Sequence, residues 1–140
     1  MKGISKLLRG FETRKLLWTN PNPDASFSTQ DIPIPNAYDK YDLIEVEFKL
    51  NYAENTTTGM KVFAKAGKRS GGTQTVTQWS SVANAWQLLH RSWWWDGNHT
   101  AIHFDSAWYF NLGTSTKAIS EANLIPYRIY GIKKIGGGTA

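Results

Sequence analysis

Three kinds of side chain in this sequence could do chemistry, and each kind is clustered. His90, His99 and His103 flank an Asp96-Gly97 pair. On a return strand His99 and His103 share parity and project from one face, so with Asp96 or Asp105 they could hold a divalent metal. Their spacing matches no ligand motif, and histidines on solvent-facing strand positions are the commoner case. Glu45 and Glu47 also share a face, and paired carboxylates are the machinery of glycoside hydrolysis. Both sit on one strand, however, whereas an acid and a base that bracket a bond usually come from different strands. The plainer reading is a solvated, charged strand face. The chain has no cysteine, no G-x-S-x-G elbow, no phosphate-binding loop and no G-x-G-x-x-G turn. No catalytic residue, metal ligand or cofactor is therefore expected, and the chain reads as a non-enzyme.

The tryptophans carry more. Seven occur in 140 residues. Trp93, Trp94 and Trp95 are consecutive, so in a strand at least one ring must leave the core. Trp79, Trp86 and Trp108 lie close by in sequence. Indole faces stack on sugar rings and anchor protein interfaces, which makes these six the candidate binding residues. The competing reading is packing, with two rings of the triplet in the core and the third lying flat beneath a neighbour. Parity separates Trp94 from Trp93 and Trp95, and Trp94 is the one expected outside.

The elements that must position these residues are short strands. Residues 16–19 form a first apolar strand, ended by Asn20-Pro21-Asn22-Pro23-Asp24, where proline fixes φ and asparagine bonds its own backbone. Residues 27–34 follow, with Pro33 and Pro35 suiting an edge. The clearest strand spans 41–52, where Leu43, Glu45, Glu47 and Lys49 alternate with Ile44, Val46, Phe48 and Leu50. Strands are also expected at 60–65 and 73–82, and 84–95 leads into Asp96-Gly97-Asn98. Asp-Gly tolerates the positive φ of a type I′ hairpin turn. A return strand with Ile102 and Phe104 inward, then 108–112 and 124–132, complete the set. Strands at this spacing with turn signals between them predict an all-β fold, a single-domain, antiparallel β-sandwich of jelly-roll type.

Charge is unevenly placed. Residues 1–17 hold Lys2, Lys6, Arg9, Arg14 and Lys15 against Glu12, which accounts for four of the five net positive charges. The rest is nearly neutral, so no basic face for nucleic acid is expected. Residues 1–15 read as a basic docking leader, 16–134 as the sandwich and 135–140 as a flexible glycine-rich tail. Within the leader Ile4, Leu7, Leu8 and Phe11 have helical spacing, but Gly3 and Gly10 leave helix and strand both open. No apolar run is long enough to span a bilayer and no signal peptide is visible, so synthesis in a cytoplasm without membrane insertion is expected.

Two segments carry a resemblance. Leu16-Leu17-Trp18-Thr19-Asn20-Pro21-Asn22-Pro23-Asp24-Ala25-Ser26-Phe27 resembles the opening of a small domain of tail-fibre, baseplate and minor structural proteins from phages and prophages of Gram-positive bacteria. Residues 30–34 and 38–48 are similar to the stretch that follows in that family. Ile125-Pro126-Tyr127-Arg128-Ile129-Tyr130-Gly131-Ile132-Lys133 is similar to its close. The tryptophan-rich middle departs from relatives, which alternate Val and Thr there. The resemblance implies a β-sandwich located in the virion that acts in particle structure or host attachment. Together with the basic leader and the tryptophan cluster, it points to self-association, a homotrimer ahead of a dimer, to docking on other virion proteins through residues 1–15, and to a host-surface glycan or a neighbouring subunit as the partner of the aromatic surface. The alternative is a free-standing carbohydrate-binding lectin. No family motif assigns a catalytic or ligand residue.

Overall fold

The computed structural model describes residues 12–52, 57–63, 71–114 and 116–134. Ten strands follow one another: β1 (Glu12–Thr19), β2 (Gln30–Pro33), β3 (Leu43–Asn51), β4 (Thr57–Phe63), β5 (Gly71–Ser80), β6 (Ala85–Trp95), β7 (Ala101–Phe104), β8 (Trp108–Asn111), β9 (Lys117–Ile119) and β10 (Asn123–Lys134). They form two antiparallel sheets, and the protein is an all-β sandwich. Sheet A has the order β1-β10-β3-β4. Sheet B is built around β6. One edge of β6 runs along β5 from Gly71↔Trp94 to Ser80↔Ala85. Its other edge is shared: β8 pairs with Gln87–His90 and β7 with Trp93–Trp95, with β9 outside β8 and β2 outside β7.

Period-two patterning explains which faces meet. From β3 come Ile44, Val46 and Phe48, and from β10 Ile125 and Ile129. From sheet B come Leu89, Trp93, Trp95, Ile102 and Phe104, and all of these are buried. Phe104 is the hub, edge-on to Phe27 at 5.6 Å and to Phe48 at 6.3 Å, an arrangement that puts positive ring edges against negative faces.

Where β6 changes partners its free edge opens at Arg91 and Ser92, and residues 105–107 cross the gap, with the Asp105 N–H donating to the Ser92 carbonyl at 3.0 Å. Arg91 lies fully buried beneath this crossing. It donates to the carbonyls of Asp105 at 2.6 Å, Phe27 at 2.9 Å and Asn123 at 3.3 Å, and to Glu121 Oε2 at 3.2 Å. One guanidinium thus ties three loops to the spine of sheet B. Burial pulls its pKa down from the ordinary value, while Glu121 and Asp105 oppose that shift; an arginine stays charged all the same.

Several expectations are corrected. The boundary expected between 15 and 16 does not hold: Glu12 to Lys15 pair with residues 131–134 as the first half of β1. Arg14 lies over the Tyr130 ring at 3.5 Å, bonds Glu45, and reaches Glu47 Oε1 at 2.8 Å. The supposedly solvated face of β3 is therefore covered in part: Glu45 and Lys49 are buried, Lys49 Nζ being held by Asp24 Oδ1 at 2.7 Å and by the Pro23 and Tyr52 carbonyls. In the β6–β7 turn the left-handed residue is His99 (φ 58°), not Gly97. The Asp96 carboxylate closes that loop, accepting from the N–H groups of Thr100 at 2.8 Å and Ala101 at 3.1 Å. The helical spacing at residues 4–11 and the tail at 135–140 lie outside the described residues.

Gly131 is inward on β10 opposite Ile44, and the Tyr41 ring lies directly on it: a Cβ there would stand 2.5 Å from Tyr41 Cγ. Gly131→Ala is expected to cost about 1–3 kcal/mol through forced displacement of that ring, measurable as a lower urea midpoint. An unchanged midpoint would show that Tyr41 can move freely.

Candidate aromatic binding face

Alternation along β6 sends Gln87, Leu89, Arg91, Trp93 and Trp95 inward and Trp86, Leu88, His90, Ser92 and Trp94 outward. Pairing then extends the outward set sideways. Trp79 of β5 stands opposite Trp86, Phe110 of β8 opposite Leu88, Trp108 opposite His90, and His103 of β7 opposite Trp94. The result is a band of rings over the outer face of sheet B. Trp79 and Trp86 meet edge to face at 5.7 Å. Trp108 stacks on His90 at 4.1 Å and on Phe110 at 5.8 Å, and Trp94 lies 4.6 Å from His103. The Trp79–Trp86 end is the most open, each ring about half exposed (50% and 53%), and exposed Leu112 donates its N–H to the Trp86 carbonyl beside it. Exposed rings gathered on one face, as at this end, often mark a contact surface.

Polar groups punctuate the band. Lys117 Nζ stands 5.2 Å from the Trp108 ring centroid, within cation–π range. The His103 and Asp31 side chains meet at 2.6 Å beside Trp94. Ser92 links the Thr73 hydroxyl at 3.0 Å to His90 Nε2 at 3.4 Å. Burial, and secondarily Lys117, pushes the His90 pKa below its ordinary value against the pull of Asp105. At neutral pH His90 is therefore an uncharged, flat ring, suited to serve as part of a platform.

The six candidate tryptophans thus divide. Trp79, Trp86, Trp94 and Trp108 share the outer face of sheet B, with Trp94 and Trp108 only partly exposed. Trp93 and Trp95 point the other way and are buried, at 1% and 4% exposure, so they belong to the core and not to the surface. Phe110, Leu88 and Lys117, which the sequence did not single out, join the face, and so does His90, which it offered only as a metal ligand. What brings them there is the partner switch of β6, which places β8 beside its first half. Among the described residues no three His, Asp or Glu side chains converge on a common point. His90, His99 and His103 are dispersed, His99 being stacked on Tyr38 at 3.9 Å. Glu45 and Glu47 are both bound by Arg14. No family model matches the chain, and neither a curated protein nor a solved structure matches it.

Proposed function

We propose that this protein is a non-enzymatic attachment domain of a phage or prophage particle, of tail-fibre or baseplate type, which presents the outer face of sheet B to a host-surface glycan. The single observation carrying the binding part is the gathering of rings on the outer face of sheet B: the edge-packed Trp79–Trp86 pair, the stacked Trp108 and Phe110, and Trp94. Flat indole and imidazole faces bury the apolar faces of sugar rings, and flanking groups such as Lys117 and Ser92 supply hydrogen bonds to hydroxyls. The virion part is supported by the opening and closing segments, which resemble the phage domain. Those same segments favour it over a free-standing lectin.

Trp86→Ala and Trp108→Ala test the reading. Each is expected to cost about 1 kcal/mol of stability or less, because neither ring is in the core. Each is expected to weaken binding to purified Gram-positive cell-wall polysaccharide about tenfold or more. Unchanged binding by both variants would remove the aromatic face from the function. Antibody labelling of particles induced from a lysogen that encodes the chain checks the virion half, and unlabelled particles alongside intact glycan binding would leave the lectin.

A further inference from the structure

The edges of a sandwich are where its sheets can pair with other chains, and natural sheets blunt them with charge, proline, bulges or brevity. Most edges here are blunted. β1 carries exposed Arg14 and Lys15 and a bulge between Leu16 and Trp18. β2 is four residues long, with Asp31 and a closing Pro33, and β9 is three residues long and begins with Lys117. β4 includes Lys61 and Gly59. β5 is different. Its ten residues, Gly-Gly-Thr-Gln-Thr-Val-Thr-Gln-Trp-Ser, contain no charge and no proline, and its register on β6 runs without a shift from end to end. It is an extended, regular strand about 33 Å long; among the described residues only β6 pairs with it, while β4 of sheet A lies near it without forming a ladder.

We propose that β5 is the seam of a two-fold homodimer, in which two copies pair antiparallel along this strand and sheet B continues across both. The residue pattern favours a second copy over a foreign strand. On the outer face Thr73, Thr75 and Thr77 are exposed, and on the inner side Gln74, Val76 and Gln78 are half-buried. An even register sets threonine against threonine and the Gln/Val row against itself, each a matched cross-strand pair, with no like charges opposed. A slip of one residue would turn Trp79 to the wrong face, which pins the register. Pairing a strand with itself uses the same edge in both partners and closes at two, so this seam gives a dimer in place of the trimer that the family resemblance implies. The seam also joins the two aromatic faces into one surface, although pairing along it does not depend on what that surface binds.

Sedimentation velocity of the full chain from 1 to 100 µM tests this against the monomer mass of 15.8 kDa. Twice that mass is expected at the upper end of the range. The double variant Thr75→Lys, Thr77→Lys sets lysines of both copies against each other across the seam and is expected to weaken association at least tenfold. Its melting temperature should stay close to that of the parent. Trp86→Ala is expected to remain a dimer. A strict monomer or a trimer for the parent would overturn the proposal. So would a dimer indifferent to the lysines, or one that Trp86→Ala dissociates, since that would place the contact on the aromatic face.

Discussion

Replacing Arg91 with leucine is expected to cost about 3–5 kcal/mol of stability, the range seen when one partner of a buried ionic cluster is removed. That is a large part of what holds a domain of this size together. A buried ion pair can sometimes be exchanged for apolar residues without loss, but not here. Three of the four acceptors of Arg91 are the main-chain carbonyls of Asp105, Phe27 and Asn123, which no substitution can delete. Leucine would leave them buried and unpaired, each losing its solvation with nothing in return. Lysine keeps the charge but offers one ammonium in place of a planar fork, so Arg91→Lys is expected to recover little of the loss. Glu121→Gln keeps the shape and should cost less than either. Urea denaturation of the three variants measures this ordering. A loss below about 1 kcal/mol for Arg91→Leu would mean that the loops find other donors and that the guanidinium is not their tie.

The triplet at Trp93, Trp94 and Trp95 is expected to split sharply under alanine substitution. Trp93 packs beside Phe104 at 6.5 Å, and Trp95 receives the edge of Tyr38 at 5.3 Å. Each removal opens a large cavity between the sheets and should cost about 3–5 kcal/mol. Trp94 rests on the outer face against His103, so its loss should cost about 1 kcal/mol and act on binding instead. Equal losses at all three positions would place Trp94 in the core as well and shorten the aromatic band by one end. The comparison is internally controlled, because the three residues are chemically identical and adjacent.

The separation of Trp94 from its two neighbours was legible because consecutive strand residues alternate faces, whatever the sheet, while the pairing of Trp93 with Phe104 and Trp95 with Ile102 decides which side is core. The same rule made β3 readable and put Ile102 and Phe104 inside. What parity cannot supply is the partner of each strand. Arg91 has the inward parity of Leu89 and Trp93, which is a usable signal that it is buried. Its role, however, depends on Phe27, Asp105 and Asn123, which only the topology brings together. Glu45 and Lys49 look solvated on β3 for the same reason, since Arg14, Tyr130 and Asp24 cover or bind them from remote segments. The Asp96-Gly97 pair signalled a turn correctly, but a carboxylate able to accept from Thr100 and Ala101 stabilises a longer loop, and the left-handed position then falls on His99. The binding face was half visible. Its tryptophans stand out in any reading, while Phe110 and Lys117 join them only through the pairing of β8 with β6 and β9.

The pairing of β1 with β10 has a bearing on how the protein is made. Of the described strands β1 leaves the ribosome first, yet its partner, from Glu12↔Lys134 to Thr19↔Arg128, is the last of them to be made. At about 5–20 residues per second, the wait is on the order of ten seconds. Through that interval Leu16, Leu17 and Trp18 have no ladder to join, and closing so long a loop adds an entropic cost that grows with the logarithm of its length. Sheet A therefore closes late, after the local β5–β6 hairpin has had time to form. In the nascent chain the exposed apolar stretch at residues 16–18 is the natural target for a chaperone, and slow closure sets the window in which it must be shielded.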